Sequence, residues 1–549
     1  MKTKILKTTL IISILFIGLS SFQNNDDKYF DISKYLKIFT SAFREVHMFY
    51  VDSVDSKKLI ESGLEAMLKT LDPYTVYYPE SDLDKVTLMT TGEYAGIGSV
   101  IAKRGIYTII REPYKNSPAD IAGLLPGDTI LAINKISCLN KETDDVSALL
   151  KGETGKKMTI KVKRAFQNKP LDIDVIRKKI QIPAIPYYGM IDDKTGYIYL
   201  SSFTDKSAFD TKKAIIDLKE RGAQNLVYDL RGNSGGLLDQ AVEITNYFIP
   251  KDSKVVYTKG KAKQWDKEYF ANKDAIAPNM PLIILIDGNS ASAAEIVSGA
   301  LQDYDRAVLI GNKSFGKGLV QTVRNLDFNT KIKLTTAKYY IPSGRCIQAL
   351  DYSDKDGGAT KTPDSLRNEF KTQNGRIVYD GGGIAPDITI EKERYSTFLA
   401  EIIIQDMAFD FVNEYALKNS TAPDITTFNL SNKLFSDFQN YLIKRDFKYE
   451  SLSQKQLKKF IQISKDEKYY DISKEELNKL KNLLKHSIER DMELFKPQIS
   501  AYLAELIIQR YHHTEGLIKY TLKDDKYIKK ALELFENQNK LKEILGIKN

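Results

Sequence analysis

Residues Pro281 to Gln321 read PLIILIDGNSASAAEIVSGALQDYDRAVLIGNKSFGKGLVQ. Pro281 to Asp287 is a short, almost wholly apolar run, the pattern of a buried strand. Gly288 and Asn289 are turn residues. From Ser292 the chain reads as a helix, with Ala293, Ile296, Val297, Ala300 and Leu301 at helical spacing. A serine thus stands where a strand becomes a helix, and a helix N-terminus offers unpaired N–H groups and a positive dipole end. Acyl transfer develops an oxyanion that needs preorganised donors, so nucleophiles are found at such junctions. Serine is also a common N-cap, and the position alone has that structural explanation.

Two features sharpen the reading. The histidines are His47, His486, His512 and His513, and the span between the first two holds none. A Ser–His–Asp triad would have to recruit its imidazole from far away in sequence. Lys317 lies between Gly316 and Gly318, after the apolar strand Ala307 to Ile310. A lysine held in a dry turn loses preference for its ammonium form, and the neutral amine can take a proton from a serine. Lys317 alone reads as a solvated turn residue. Its pairing with Ser292 makes a Ser–Lys dyad the expectation.

SASAAE followed by SFGKGLVQ resembles the C-terminal processing (tail-specific) serine peptidases. The resemblance implies Ser292 as nucleophile, Lys317 as general base and Gln321 as the residue that orients the lysine. Ser290 is the competing hydroxyl, and the family's spacing to the lysine selects Ser292. A straight strand from Lys317 to Gln321 would separate their α-carbons by about 13 Å. A turn at Gly316 or Gly318 is therefore expected.

The 549 residues are enough for three or four domains. With 42% hydrophobic and 28% charged residues the composition is that of a globular protein. The net charge of +9 is spread over interleaved lysines and acids, without a basic block carrying aromatics, which argues against nucleic acid as a partner. Lys2, Lys4 and Lys7 precede an apolar run from Leu10 to Leu19 and then Ser20 and Ser21. That run is short for a membrane span, so residues 1–24 read as a cleaved signal peptide, and the protein as exported to the periplasm or cell envelope. Membrane contact is expected only where the segment stays uncleaved. Cys138 and Cys346 fall in different expected domains, so no disulfide is expected. No Cys, His and carboxylate set has metal-ligand spacing, and neither metal nor cofactor is expected.

Residues 25–92 show helical spacing at Tyr35, Leu36, Phe39, Phe43 and Val46, and again at Leu59, Ile60, Leu64, Met67 and Leu68. Oligomerisation arm, brace for the core and plain packing element all stay open as roles for it. Residues 93–180 change to short strands with two small helices, around Gly96-Ile97-Gly98 and GLLPGDTILAINK. These motifs look like a PDZ domain. Such a domain takes a peptide as an added strand and holds its free carboxylate on backbone N–H groups. The resemblance places Gly96, Ile97 and Gly98 at that carboxylate. Lys151 could also sense it, although a solvated lysine is the better fit there.

Residues 183–390 alternate strands and helices around Ser292, the pattern of an α/β core. The glycine-rich RGNSGG (Arg231 to Gly236) lacks the lysine of a Walker loop and the spacing of a dinucleotide fingerprint. In the family that the chain resembles, DLRGNSGG lies beside the nucleophile. The resemblance then makes Gly235 or Gly236, with Ala293, the oxyanion hole. TTAKYYIPSGRCIQ and GGGIAPDITI also fit the family and read as architectural. Residues 391–549 are helical, with stripes at Phe398, Ile402, Ile403 and Met407, at Leu477, Leu480, Leu483 and Leu484, and at Ile507, Tyr511, Ile518 and Leu522. A cover over the peptide channel and a partner-binding domain are both compatible with them.

The expected fold is α/β, a ClpP/crotonase-like core with an inserted PDZ domain between helical N- and C-terminal regions. The expected function is a serine endopeptidase acting on proteins or peptides with a free C-terminus. A homo-oligomer and an envelope adaptor are compatible partners. Two rivals stand beside it: a PDZ-bearing envelope chaperone with a silent peptidase site, and an acyl-CoA enzyme on the same core.

Overall fold

The computed structural model describes residues 23–165, 167–352 and 359–547. The signal segment read in residues 1–24 lies, except for its last two positions, outside the described residues. No described helix is long and apolar enough to cross a membrane. Contacts divide the chain into two units, residues 1–79 with 323–334, and residues 80–322 with 335–549.

The first unit holds α1 (Gln23–Phe49), α2 (Ser56–Lys69) and the strand β1 (Val76–Tyr78). Asp55 caps α2 by accepting from Lys58 N at 3.1 Å. Asp72 turns the chain after α2 by accepting from the amides of Tyr74 and Thr75, both at 2.8 Å. The apolar stripe on α1 differs from a packing element. Tyr35, Leu36 and Phe39 are more than half exposed, because one short companion helix gives a 27-residue helix little to pack on.

In the second unit α3 (Leu83–Thr91) leads into β2 (Glu93–Gly96), β3 (Ser99–Arg104), β4 (Tyr107–Pro113), α4 (Pro118–Ile121), β5 (Thr129–Ile133), β6 (Ile136–Ser137), α5 (Thr143–Leu150), β7 (Lys157–Lys163), β8 (Leu171–Ile176) and β9 (Lys178–Gln181). The main sheet runs β3-β4-β5-β7-β8, so β3 is an edge strand. β2 pairs antiparallel with β9, which brings the two ends of this segment together. Asp128 of the PGD turn is buried, accepts from Leu125 N and is bridged by Arg164 at 2.7 Å.

The next part holds β10 (Tyr187–Met190), β11 (Thr195–Tyr199), α6 (Ser207–Glu220), β12 (Asn225–Asp229), α7 (Leu238–Asn246), β13 (Lys254–Gly260), β14 (Lys267–Phe270), β15 (Leu282–Ile286), α8 (Ala293–Asp303), β16 (Val308–Gly311), β17 (Leu319–Asn325) and β18 (Lys331–Tyr340). Four two- or three-residue strands follow, β19 (Leu350–Asp351), β20 (Thr360–Lys361), β21 (Glu369–Lys371) and β22 (Ile377–Tyr379), then β23 (Ile388–Thr389). The central sheet has the order β10-β11-β12-β15-β16-β23, parallel from β11 onwards.

Both faces of this sheet are covered, which is why β15 reads as an unbroken apolar run. Leu226, Leu282, Ile284, Ile286 and Leu309 face α6, α7 and α8. Val227, Ile283, Leu285, Val308 and Ile310, one residue out of step, pack instead on Leu522, Ile528, Ala531, Leu534 and Phe535. The second cover therefore comes from the end of the chain.

That end is helical: α9 (Thr397–Ile404), α10 (Met407–Lys418), α11 (Asn432–Lys444), α12 (Leu452–Asp466), α13 (Tyr470–Leu483), α14 (Ile488–Leu494), α15 (Lys496–Thr521), α16 (Lys526–Glu536) and α17 (Gln538–Ile544). Phe398, Ile402, Phe411, Phe438, Leu503 and Ile507 form its own core. The stripe at Leu477 does not build a core: Leu477 is buried, but Leu480 and Leu483 are 43% and 74% exposed.

Candidate active site

Ser292 is the N-cap of α8, with φ 56° and ψ −114°. A positive φ is costly for a residue with a side chain and persists only where the surroundings enforce it. Here the surroundings are built from three sides. Ala291 N donates to Asn233 O at 2.9 Å. Tyr339, buried, donates its hydroxyl to Ser292 O at 3.2 Å. Ser292 N donates to Glu295 Oε2 at 2.8 Å.

Glu295 was not anticipated from the sequence, and it joins the two parts of the expected dyad. Its Oε2 accepts from both Ser292 N at 2.8 Å and Lys317 N at 2.9 Å. The two amide nitrogens therefore lie within about 6 Å of each other. Its Oε1 accepts from Gly316 N at 2.7 Å and from the Ser314 hydroxyl. Burial pushes this carboxyl up to about 7, against the pull of the Ser314 hydroxyl and the three amides. Every one of these partners is a donor, so the site is shaped for the carboxylate. The signal was present in the sequence: Ser292 and Glu295 have the Ser-x-x-Glu spacing of a helix start.

Gly316 adopts φ +87°, so of the two positions where a turn was expected beside Lys317 it is Gly316 that takes the left-handed conformation. It precedes the lysine, and β17 begins at Leu319, so Gln321 is already on a strand. Gln321 Nε2 donates to Thr335 Oγ1 across the β17–β18 pair at 3.2 Å. Ser290 is not a rival nucleophile in this geometry. It is buried, donates to Leu230 O at 2.7 Å and accepts from Asp287 N at 2.9 Å.

The RGNSGG loop passes directly beside Ser292. Asn233, fully buried, pins it by donating to Leu200 O and accepting from Gly235 N, both at 2.8 Å. This corrects the expectation for Gly235, whose N–H is committed to Asn233 and is not offered to an oxyanion. Gly236 is exposed, and its neighbours Gly235 and Leu237 make the bonds to Phe203 through Gly235 O and Leu237 N. Gly236 and Ala293 are the remaining donors of the expected set.

Gly235 has φ +100°, and a Cβ there would stand 2.8 Å from Ala291 O and 2.8 Å from Ser292 Cβ. Gly235→Ala is expected to cost more than about 1 kcal/mol of stability and to displace the serine. Thermal unfolding and cleavage measured side by side test this. A variant with the wild-type Tm and turnover would show that the loop is not sterically tied to Ser292.

At the other candidate surface, Ile97 is buried and Gly98 has φ +75°. The Gly98 carbonyl accepts from Tyr114 N at 2.9 Å and Ser117 Oγ at 2.8 Å, which fixes the loop ahead of the edge strand β3. A groove between β3 and α5 is lined by Tyr94, Ile97, Ile101, Ser147, Leu150 and Lys151. Lys151 Nζ lies 5.7 Å from the Tyr94 ring centroid. Burial pushes the Tyr94 phenol up, against the pull of the Ser99 and Gly98 backbone amides. Gly96 pairs with Lys178 on β2–β9. The two adjacent histidines do not form a pair: His512 Nε2 bonds Pro423 O at 2.7 Å, and His513 sits at a kink in α15 with φ 58°.

Fold and site together describe an α/β peptidase carrying a peptide-binding module and a helical C-terminal region. The sequence profile of peptidase family S41 matches residues 194–354, that of a PDZ domain matches residues 109–164, and that of a probable PDZ-protease C-terminal helical domain matches residues 398–535. A carboxy-terminal-processing protease of Bartonella bacilliformis is 35% identical over 342 residues, 62% of this chain and 77% of that protein. A probable CtpA-like serine protease of Staphylococcus saprophyticus is 30% identical over 470 residues, 83% of this chain and 91% of that protein. Among solved structures, a photosystem II D1 C-terminal processing protease aligns with 24% identity and a TM-score of 0.35, over 64% of this chain and 92% of that one. The chain belongs to the C-terminal processing serine peptidases, peptidase family S41, with a PDZ domain.

Proposed function

We propose that the chain is an exported serine endopeptidase that recognises protein C-termini through its PDZ domain and cleaves by a Ser–Lys mechanism. The observation that carries this reading is the shared Glu295 Oε2, which ties the backbones of Ser292 and Lys317 together. Family membership supports the serine chemistry, and the lysine-led n-region with its apolar run supports export. The parallel sheet with helices on both faces supports a core of the ClpP/crotonase type. On this reading the chain divides into a signal peptide (1–24), a helical N-terminal region (25–92), a PDZ domain (93–180), the peptidase core (183–390) and a helical C-terminal domain (391–549).

The substrate's C-terminal segment adds to the edge strand β3, and its carboxylate takes the amides of the Gly96-Ile97-Gly98 loop. Neutral Lys317 accepts the Ser292 hydroxyl proton as the oxygen attacks the scissile carbonyl. Gly236 and Ala293 donate N–H groups to the tetrahedral oxyanion. The Lys317 ammonium gives its proton to the leaving amine as the C–N bond breaks, and an ester to Ser292 remains. Water, deprotonated by the same amine, attacks that ester and releases the acid and the serine. Gln321 accepts from the amine and aims it, and its uncharged amide does not restore the ammonium's preference as a carboxylate would.

Incubation of the mature protein with an unfolded substrate, with its C-terminal carboxylate free or amidated, tests the reading. Wild type should cleave the free form faster than the amidated one, and Ser292→Ala should cleave neither. Binding of the free form without cleavage by wild type would identify a silent binding protein instead.

A further inference from the structure

The helical C-terminal domain reaches the loop beside Ser292. Arg231, the first residue of RGNSGG, donates Nε to Asp229 Oδ1 at 3.0 Å. Its Nη2 also meets Asp525 Oδ2 at 2.8 Å, and the guanidinium lies 4.6 Å from the Tyr527 ring centroid. The Asp525 side chain is 14% exposed and that of Arg231 is 22% exposed, so water screens this pair only weakly. Asp525 is fixed in turn as the N-cap of α16, accepting from Tyr527 N at 2.7 Å. Arg231 is thus held between the core strand β12 and a helix from the far end of the chain.

The same domain grips the PDZ domain at its other side. Arg104 of β3 makes a two-point pair with Asp410 at 2.7 and 2.8 Å. Glu112 of β4 accepts from Gln509 Nε2 at 2.8 Å and from Thr514 N at 3.0 Å on α15, the helix that runs into α16. The route from the peptide-binding edge strand to the catalytic loop is therefore continuous through packed helices.

We propose that Asp525 and Tyr527 are positioning residues for peptide cleavage, holding Arg231 and with it the loop that carries the Gly236 amide, and that the helical C-terminal domain carries the position of the PDZ domain to this loop. The inference rests on the peptidase reading given above. A bidentate guanidinium between two carboxylates and a ring has a fixed plane, so it sets the direction in which the chain leaves β12. A loop released by a fraction of an ångström keeps its fold and loses the alignment of its donors.

Asp525→Ser and Tyr527→Leu separate this role from stability. Serine keeps the helix cap and is too short to reach Arg231. In the full-length protein each variant should lower kcat about tenfold, with KM for a free-carboxylate substrate and the Tm close to wild type. Hydrogen exchange of the 230–236 amides should rise in both. Asp410→Ala, which breaks the pair with Arg104 from the helical side, should leave the amidated substrate's turnover unchanged and bring that of the free form down towards it. Wild-type kcat and wild-type exchange in Asp525→Ser and Tyr527→Leu would overturn the proposal. Wild type that fails to cleave at all would overturn the peptidase reading, while the exchange measurement would still decide whether Asp525 and Tyr527 hold the loop.

Discussion

Lys317→Arg should yield a folded protein whose cleavage has fallen as far as that of Ser292→Ala, a loss of about 10²–10⁴-fold. Arginine keeps the positive charge and much of the length but remains protonated at any working pH. A cation at that place can still attract the oxyanion, and it cannot take the serine proton. The same substitution is nearly neutral for stability if the long side chain finds the half-buried space now taken by the lysine. Burst kinetics with an activated ester, beside peptide cleavage, decide the matter: acylation should be lost together with turnover. Turnover by Lys317→Arg comparable with wild type would remove the lysine as the base.

Glu295 carries the second large effect. Glu295→Ala leaves four donors without their acceptor: the amides of Ser292, Gly316 and Lys317 and the Ser314 hydroxyl. A buried unsatisfied donor costs about 1–3 kcal/mol, so the variant should lose about 3 kcal/mol or more, and cleavage with it. Glu295→Gln isolates the charge from the packing. The folded carboxyl holds its proton up to about 7, where an unperturbed one releases it near 4.5. Folding therefore takes up a proton between those values. That contribution to stability is complete below 4.5 and gone above 7, so wild type should lose ground relative to Glu295→Gln as the pH rises through this window, by about 3 kcal/mol in all. Cleavage should run the opposite way, because a protonated Glu295 brings a hydrogen into a ring of donors. Wild type should show an acid limb with a midpoint near 7, and Glu295→Gln should sit at the low-pH level throughout. Urea unfolding and turnover at pH 5 and 8 measure both. A stability difference between the two proteins that is the same at each pH would show that the carboxyl is not shifted.

The strand, turn and helix around Ser292 were legible because each is set locally. The run from Leu282 to Ile286 is apolar at every pleat, and Ser292 opens a helix whose spacing is plain. Glu295 was harder to recognise. Its three-residue distance from Ser292 is a common capping signal, and only the folded chain brings residues 314–317 against the same carboxylate. Gly235 shows the converse. A glycine in a loop beside a helix suggests a free N–H, yet the turn made by Asn233 has already claimed it.

The sequence by itself determined the α/β alternation, the serine at a helix mouth, the PDZ motifs and the absence of any histidine between residues 47 and 486. Period, turn chemistry and composition are properties of neighbours along the chain, and they survive without a fold. Tertiary structure alone decided which residues share a carboxylate and what covers the second face of the central sheet. Ile283 and Leu285 announce that they need a partner, but nothing in their neighbourhood says that Ala531 and Leu534, some 250 residues away, supply it. Packing across such a distance is settled by shape and burial after the elements have formed, so it leaves no periodic mark on either segment.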